Sequence, residues 1–328
     1  MARLKKLLSL ILRLVISAVF LIFLFKFNKI DLHALINDIK CADRLFLALG
    51  FIIFPIVHIL SFLRWQMLLK ATGIKIPLKK LISSFCGGVF FNIFLPSAIG
   101  GDLVRTADIV AHTQKAKQII ATVFLDRLSG YIGLVVVALF AIFFGGSLIN
   151  DKFVFLSMFV IIILLVVMLL LLFNSFIYTR ITRFLSVPGA GRIKEMIREM
   201  HHEIHIFRDH RRMIASNLVL SMIIQAVFPV SVYFIGRSLG INISPIYFLI
   251  FLPIIGAITL LPISMGGLGF RESLYVVYFA KAGVIKQLAL AMSLLSFSFI
   301  VFYGAIGGVI YVLTVHHRRI QHNQPSPV

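Results

Sequence analysis

A chain of 328 residues that is 60% hydrophobic and only 13% charged carries more apolar surface than the core of one soluble domain can bury. Its 32 Lys and Arg against 12 Asp and Glu could suit a nucleic-acid binder, but the basic residues fall in short stretches between apolar segments, the positive-inside pattern of membrane proteins. Two cysteines far apart in the chain supply neither a disulfide framework nor a metal-ligand cluster. Composition therefore predicts an all-α integral membrane protein that does not bind nucleic acid.

Six apolar segments are long enough to cross a bilayer, which takes roughly 20 residues. The first begins with basic residues like a signal peptide, but Arg13 interrupts its apolar core and no small-residue cleavage site follows, so we interpret it as a retained helix. The predicted crossings cover about 9–27, 45–66, 118–144, 153–175, 213–235 and 287–314.

Lys and Arg accumulate before the first crossing, after the second, between the fourth and fifth, and after the last. These loops share one face if the crossings alternate, which predicts that both termini are cytoplasmic in a bacterial inner membrane. Two further apolar regions, about 81–110 and 246–283, contain helix breakers. The charge pattern is the same whether each is a re-entrant hairpin or a pair of full crossings, so both alternatives stay open.

The longest polar segment, about 178–212, combines apolar residues at helical spacing with many basic ones, which predicts an amphipathic helix on the anionic inner leaflet. A metal site is one interpretation of His201, His202 and His205 in this segment. No third strong ligand has a suitable spacing, so we expect no metal. Residues 1–316 are predicted to form a single transmembrane domain, followed by a disordered cytoplasmic tail over 317–328.

The sequence LPSAIGGDLVR at 95–105 returns as LPISMGGLGFR at 261–271, with leucine, proline, paired glycines and arginine at the same spacing. The two copies predict an internal duplication with repeat units of about 45–144 and 213–314. Because the first copy follows a crossing that ends inside and the second follows one that ends outside, the units would be inverted. Inverted repeats with broken helices mark the binding sites of many secondary transporters.

Proline costs a helix interior about 3 kcal/mol and glycine about 1 kcal/mol relative to alanine, so the motifs predict deliberate helix breaks. Broken helices expose N–H groups that need protein or water around them, and a helix N-terminus suits an anion. Guanidinium groups match phosphate. The predicted breaks involve Pro96, Pro262 and Gly269, and the predicted phosphate site comprises Arg105, Arg271, Gly100, Gly101, Gly266 and Gly267.

The alternative is that these arginines serve structure, with Arg105 paired to Asp102 or Asp108 and Arg271 paired to Glu272. Asp126 and Arg127 form another ionisable pair within an apolar segment. Asp102, Asp126, Arg127 and Glu272 are therefore interpreted either as an ion or proton relay or as structural pairs.

Arg64 and Trp65, at the end of the second predicted crossing, are expected to be interfacial anchors, with contact to a ligand as the alternative, and Asn92 is expected to be a further interfacial contact. The sequence contains no P-loop, Gly-x-Ser-x-Gly or His-Glu-x-x-His motif. ATP-driven transport within this chain and the common hydrolase chemistries therefore lack support, and no cofactor is expected.

The segments FNIFLPSAIGGDLVR, FLDR, LPISMGGLGFRE and RWQMLLKATG together resemble the flippase-like membrane family. Its best-known members form the N-terminal membrane half of bacterial lysylphosphatidylglycerol synthetase/flippases. The resemblance implies transfer of a lipid between leaflets. In that family a separate cytoplasmic domain attaches the amino acid, and since this chain ends soon after its last crossing, we expect it not to be an enzyme by itself. Standalone relatives are thought to handle glycolipids, hopanoid-related lipids or lipid-linked sugars.

The leading hypothesis is therefore a flippase for a phosphate-bearing lipid, which could be an aminoacyl-phospholipid, a glycolipid or a prenyl-linked lipid. One alternative is a membrane-embedded transferase acting on a lipid head group, with Asp102, Asp126 or Glu272 as general base. Another is a non-transporting scaffold for envelope assembly. The expected partners are a membrane lipid, the anionic inner leaflet, and either further copies of the chain or a separate lipid-synthesising enzyme.

Overall fold

The computed structural model describes residues 30–95, 100–145, 151–173, 211–259 and 267–322, together with the isolated positions 19, 22 and 26. Within these ranges all regular structure is helical, as predicted. The helices are α1 (Leu32–Lys40), α2 (Arg44–Ala71), α3 (Leu78–Phe94), α4 (Gly100–Thr113), α5 (Ala116–Gly145), α6 (Lys152–Phe173), α7 (Arg211–Ser238), α8 (Pro245–Ile258), α9 (Phe270–Ala280) and α10 (Lys286–His322).

Five helices in the described ranges are long and apolar enough to cross a membrane: α2, α5, α6, α7 and α10. They coincide with the second to sixth predicted crossings. The first predicted crossing lies almost entirely outside the described residues, and so does nearly all of the predicted amphipathic segment at 178–212.

The C-terminal helix is longer than the sequence suggested. A disordered tail was predicted from 317, but α10 continues to His322, and that part of the prediction is wrong. The sequence from 316 to 322 contains neither proline nor glycine, the residues that most disfavour a helix interior. Residues 323–328 lie outside the described part of the chain.

Each motif region forms two short helices. At about 1.5 Å per residue, the 17 residues of α3 and the 14 of α4 span roughly 25 and 21 Å, less than the roughly 30 Å of a hydrocarbon core. The second region is shorter still, with 14 residues in α8 and 11 in α9. These lengths favour a pair of re-entrant helices over two full crossings in each region.

The two helices of each pair run antiparallel. Ser84 Oγ donates to the backbone oxygen of Arg105 at 3.0 Å, and Lys80 forms an ion pair with Asp108 one turn away. In the second pair, the ring centroids of Phe248 and Phe279 are 5.0 Å apart and those of Phe251 and Tyr278 are 5.8 Å apart. Each motif region is therefore a helical hairpin, with its turn between α3 and α4 in the first region and between α8 and α9 in the second.

The first long helices of the two units, α2 and α7, also pack antiparallel. Asn217 Nδ2 donates to the backbone oxygen of Arg64 at 3.0 Å, and Ser231 Oγ donates to the backbone oxygen of Gly50 at 2.8 Å. The two contacts lie fourteen positions apart on each helix and run in opposite directions, from 64 to 50 on α2 and from 217 to 231 on α7, as antiparallel packing requires. The antiparallel packing gives the two units the opposite directions expected of an inverted repeat.

The hairpins exchange partners between the units. α3 of the first unit packs extensively on α10 of the second, while α8 of the second packs on α5 of the first. At the α3–α10 contact, a Cβ built on Gly307 would lie 3.0 Å from the backbone oxygen of Cys86, so a glycine permits close approach there. This exchange holds both hairpins against the centre of the bundle.

Candidate functional site

A cavity of about 360 Å³ lies where the two hairpins approach α2, α5, α7 and α10. Arg105 of the first motif and Arg271 of the second both line it, together with Arg64 and Arg127. The spacing of the motifs thus corresponds to a shared site in space. The lining of the cavity also includes apolar side chains, those of Phe54, Val57, Ile93, Phe228, Phe297 and Ile300.

Asp126 of α5 joins two of the arginines. Its Oδ1 accepts from Arg64 Nε at 2.7 Å and its Oδ2 accepts from Arg105 Nη2 at 3.0 Å. The residue is only 3% exposed. A buried carboxylate needs such paired donors, because desolvation would otherwise cost several kcal/mol.

Asp102 of α4 extends the network. Its Oδ1 lies 3.0 Å from Arg105 Nε, and its Oδ2 accepts from Arg127 Nε at 2.5 Å. The predicted alternative pairing of Arg105 with Asp102 is therefore present, whereas Asp108 pairs with Lys80 instead. The ion pairs form one continuous chain from Arg64 to Arg127. No described contact assigns an ion or proton relay to these groups.

Arg105 also stacks on aromatic rings. Its Cζ lies 4.5 Å from the centroid of the Trp65 ring and 5.9 Å from that of Phe85. Trp65 is fully buried and Arg64 nearly so, which contradicts the prediction that they are interfacial anchors. Because α2 continues to Ala71, these residues lie inside the helix, where they turn toward the protein interior.

The backbone and side chain of Arg64 are held by α7. Arg64 Nη1 donates to Ser221 Oγ at 3.2 Å, and Asn217 Nδ2 donates to the Arg64 backbone oxygen. Sequence reasoning missed both residues. Their signal was available, since polar side chains four positions apart in an otherwise apolar helix share one face and usually point inward.

The second motif has a simpler arrangement. Arg271 donates through Nε and Nη2 to Oε1 of the adjacent Glu272, and its Cζ lies 4.6 Å from the Phe297 ring centroid. Glu272 is fully buried, and its Oε2 accepts from the Gly269 backbone N–H at 2.6 Å. The predicted pairing of Arg271 with Glu272 is present, and Arg271 lines the cavity at the same time.

The motif glycines fill two structural roles. Gly100 and Gly101 form the first turn of α4, and a Cβ on Gly101 would lie 2.0 Å from the backbone oxygen of Gly88. Gly267 and Gly269 have φ of 77° and 79°, the left-handed region that favours glycine. Pro96, Pro262 and Gly266 lie outside the described residues.

Two backbone N–H groups near the motifs are already engaged. Gly101 donates to Asn92 Oδ1 at 3.0 Å, and Gly269 donates to Glu272. Asn92, predicted as an interfacial contact, therefore lines the cavity and holds the hairpin together. The guanidinium groups, rather than these two amides, are the donors that the site presents to an anion.

Comparison with known proteins agrees with this architecture. The family model described as the transmembrane region of lysylphosphatidylglycerol synthase matches residues 10–308, which include both motifs and every residue lining the cavity. A UPF0104 membrane protein of Pyrococcus horikoshii is 25% identical over 275 residues, covering 77% of this chain and 82% of that protein. The chain belongs to the lysylphosphatidylglycerol synthase transmembrane-region family.

Proposed function

We propose that this protein moves a phosphate-bearing lipid between the leaflets of the cytoplasmic membrane. The observation that carries the proposal is the cavity shared by Arg105 and Arg271, one from each unit of an antiparallel pair. Guanidinium groups bind phosphate through paired donors, and arginines inside a membrane cost roughly 2.5 to 3.5 kcal/mol on insertion scales. Arginines within a membrane usually bind a ligand, line an ion pathway or pair with another charged residue.

The lining of the cavity combines the arginines with apolar side chains, among them Phe54, Phe228 and Ile300. A lipid presents the same two kinds of surface, a charged head group and apolar chains. The head group would lie against the arginines while the acyl chains stay next to the apolar residues and the bilayer. A water-soluble anion makes no use of these apolar residues, so the mixed lining favours a lipid.

The two hairpins supply a route for access from both leaflets. Each brings one motif arginine to the cavity, and the units they belong to have opposite directions. Rocking of one unit against the other around a fixed site is the usual mechanism of inverted-repeat transporters. The charge of the loops supports cytoplasmic termini, and we propose the anionic inner leaflet as the face that the basic loops contact.

The test is reconstitution in liposomes with labelled phospholipids and prenyl-linked lipids, with and without a proton gradient. Arg105→Ala and Arg271→Ala should each abolish leaflet transfer. Arg237→Ala is the matched control, because Arg237 packs over Phe46 at 5.4 Å and does not line the cavity. Normal transfer by both motif variants would overturn the site, and a new lipid product detected by mass spectrometry would favour a transferase instead.

A further inference from the structure

We infer that His58 of α2 is a hydrogen-bonding position for the lipid head group, partway between the two motif arginines. The inference rests on the proposed function and adds a binding residue to the same cavity. It is carried by the Nε2 atom of His58, which is buried without a hydrogen-bond partner among the described residues although the side chain lines the cavity.

The helix α2 is apolar where it approaches the cavity, with two exceptions. Between Leu45 and Leu63, the only polar side chains are those of His58 and Ser61. Both line the cavity, and so does Arg64, three positions after Ser61. Residues three positions apart share one face of a helix, so these side chains form a polar row on α2. Polar side chains within a membrane are costly and usually belong to a binding site or a pathway.

The arginine of the first motif belongs to one end of this row. Arg105 is joined to Arg64 through Asp126, which accepts from Arg64 at 2.7 Å and from Arg105 at 3.0 Å. A phosphate that binds Arg105 would therefore lie near the Arg64 end of the polar row.

The arginine of the second motif lies near the other end. Arg271 Cζ is 4.6 Å from the ring centroid of Phe297 on α10. Two positions further along α10, the Phe299 ring centroid is 5.9 Å from that of Phe54 on α2. Phe54 and Arg64 are ten positions apart, which corresponds to roughly 15 Å along the helix at about 1.5 Å per residue. A head group that passes from one motif arginine to the other has to cover much of this distance.

His58 offers a hydrogen bond within that interval. It is four positions from Phe54 and six from Arg64, and Ser61 adds a hydroxyl between His58 and Arg64. An imidazole nitrogen donates or accepts according to its tautomer, and a hydroxyl group does both. A head-group hydroxyl therefore satisfies Nε2 in either tautomer, and a phosphate oxygen satisfies it when the nitrogen carries a proton. The position suits a head group that combines phosphate with hydroxyl groups, such as a phosphoglycerol.

The unpartnered nitrogen argues against a purely structural role for His58. The ring packs edge-on against Phe54, with the centroids 5.5 Å apart, which a phenyl ring would do equally well. A buried polar atom without a hydrogen bond lowers stability, whereas an apolar group of the same shape does not. A histidine at this position therefore has a use only if something else supplies the missing hydrogen bond.

The experiment compares His58→Phe with the unaltered protein, as the purified full chain in nanodiscs that contain phosphatidylglycerol. Native mass spectrometry measures the retained lipid, and thermal unfolding measures stability. We expect retention to fall by about threefold to tenfold, the equivalent of one lost hydrogen bond, while Tm stays the same or rises. Unchanged retention would overturn the inference. A lowered Tm would show that His58 has a structural role, and would overturn it as well.

A second variant tests the hydrogen bond itself. His58→Gln keeps a donor and an acceptor at this position and should retain more phosphatidylglycerol than His58→Phe. Equal losses in the two variants would contradict a hydrogen-bonding role. His33→Phe is the matched control, because His33 is exposed on α1 and does not line the cavity, and it should leave retention unchanged.

Leaflet transfer is measured separately in liposomes, where an intermediate position predicts slower transfer by His58→Phe. Absence of transfer by the unaltered protein would refute the proposed function, whereas the comparison of lipid retention would still decide the role of His58. Glycerol phosphate in large excess separates a lipid from a free anion. It should not displace phosphatidylglycerol, since it makes no use of the apolar lining, and full displacement would overturn the assignment to a lipid head group.

Discussion

The two halves of the molecule share a backbone plan but differ in the chemistry around their motif arginines. In the first half, Arg105 pairs with Asp102 and Asp126 and stacks on Trp65. In the second half, Arg271 pairs with its neighbour Glu272 and lies over Phe297. The first arrangement connects three helices, whereas the second is confined to the start of α9 and one ring of α10.

The charged residues and the apolar core are distributed unequally between the halves. The first half contributes Arg64, Asp102, Arg105, Asp126 and Arg127 to the ion pairs at the site, whereas the second half contributes Arg271 and Glu272. The large buried apolar cluster lies mainly in the second half, around α8 and α9. The first half therefore supplies most of the charged groups at the site.

The largest expected effect is on the acid that joins two arginines. Asp126→Asn leaves Arg64 buried without a carboxylate and Arg105 with Asp102 alone, and should lower the free energy of unfolding by about 3–5 kcal/mol. Ser293→Ala, which removes a contact to the acid of the second motif, should cost less than about 1.5 kcal/mol, because its 3.4 Å contact to Glu272 is long. Denaturant unfolding in detergent compares the two, and equal losses would contradict the proposed difference between the halves.

Replacing each motif arginine with lysine keeps the charge but removes the forked donors. Arg105→Lys should cost about 1.5–3 kcal/mol of stability, because a single ammonium cannot serve Asp102 and Asp126 with the same geometry. Arg271→Lys has one carboxylate to serve and should cost less. Thermal unfolding measures both variants, and a larger loss for Arg271→Lys would reverse the comparison.

The glycines of the two motifs should respond differently to alanine. Gly101→Ala forces α3 and α4 apart, since its Cβ meets the Gly88 backbone oxygen, and should cost about 1–3 kcal/mol by overpacking. Gly267→Ala places its Cβ at an ordinary contact distance of 3.8 Å from Arg271 Cβ but keeps a φ of 77°, at a cost of about 1–2 kcal/mol. Gly267→Ala should leave lipid transfer intact, unlike Arg271→Ala. Gly101→Ala should impair both lipid transfer and stability.

The smallest effect is expected at the exposed ion pair between Asp151 and Lys281. The hydrogen bond from Lys281 holds the pKa of the Asp151 carboxyl below its ordinary value. A carboxyl with a lowered pKa stabilises the fold above its unfolded pKa, and this contribution disappears as the pH falls through the folded pKa. Lys281→Ala should bring the pKa of Asp151 back toward its ordinary value and so reduce the loss of stability at low pH. The pH dependence of unfolding measures this effect, and Asp151→Asn, which removes the titrating group, shows any pH dependence that arises from other residues.

Much of the fold could be predicted because a helix that crosses a lipid bilayer needs a long apolar segment, which can be recognised in the sequence. Five of the six predicted crossings match helices within a few residues, and the repeated motif located both hairpins. The meeting of Arg105 and Arg271 at one cavity was also predicted, from nothing more than equal spacing in two inverted units. Helix breaks are local features, and for that reason they can be recognised without knowing the tertiary structure.

The ion-pair network could not be predicted in the same way. Arg64 and Asp126 are 62 positions apart, and no periodicity connects them. At the sequence level, an arginine and a tryptophan at the end of an apolar run look like an interfacial anchor. Only the packing of α2 against α5 and α7 shows that Arg64 and Trp65 face inward, which is why that prediction was wrong.

The hydrogen bonds between α2 and α7 have a consequence for how such a site can evolve. Both run from a side chain of α7 to a backbone oxygen of α2. In a symmetric homodimer, every substitution at the two-fold axis appears twice, so an acid or a base introduced there meets its own copy. Joining the two units in one chain removes that restriction. Arg64 can face Asn217 while Ser231 faces Gly50, and an asymmetric set of charges can develop where the two units meet.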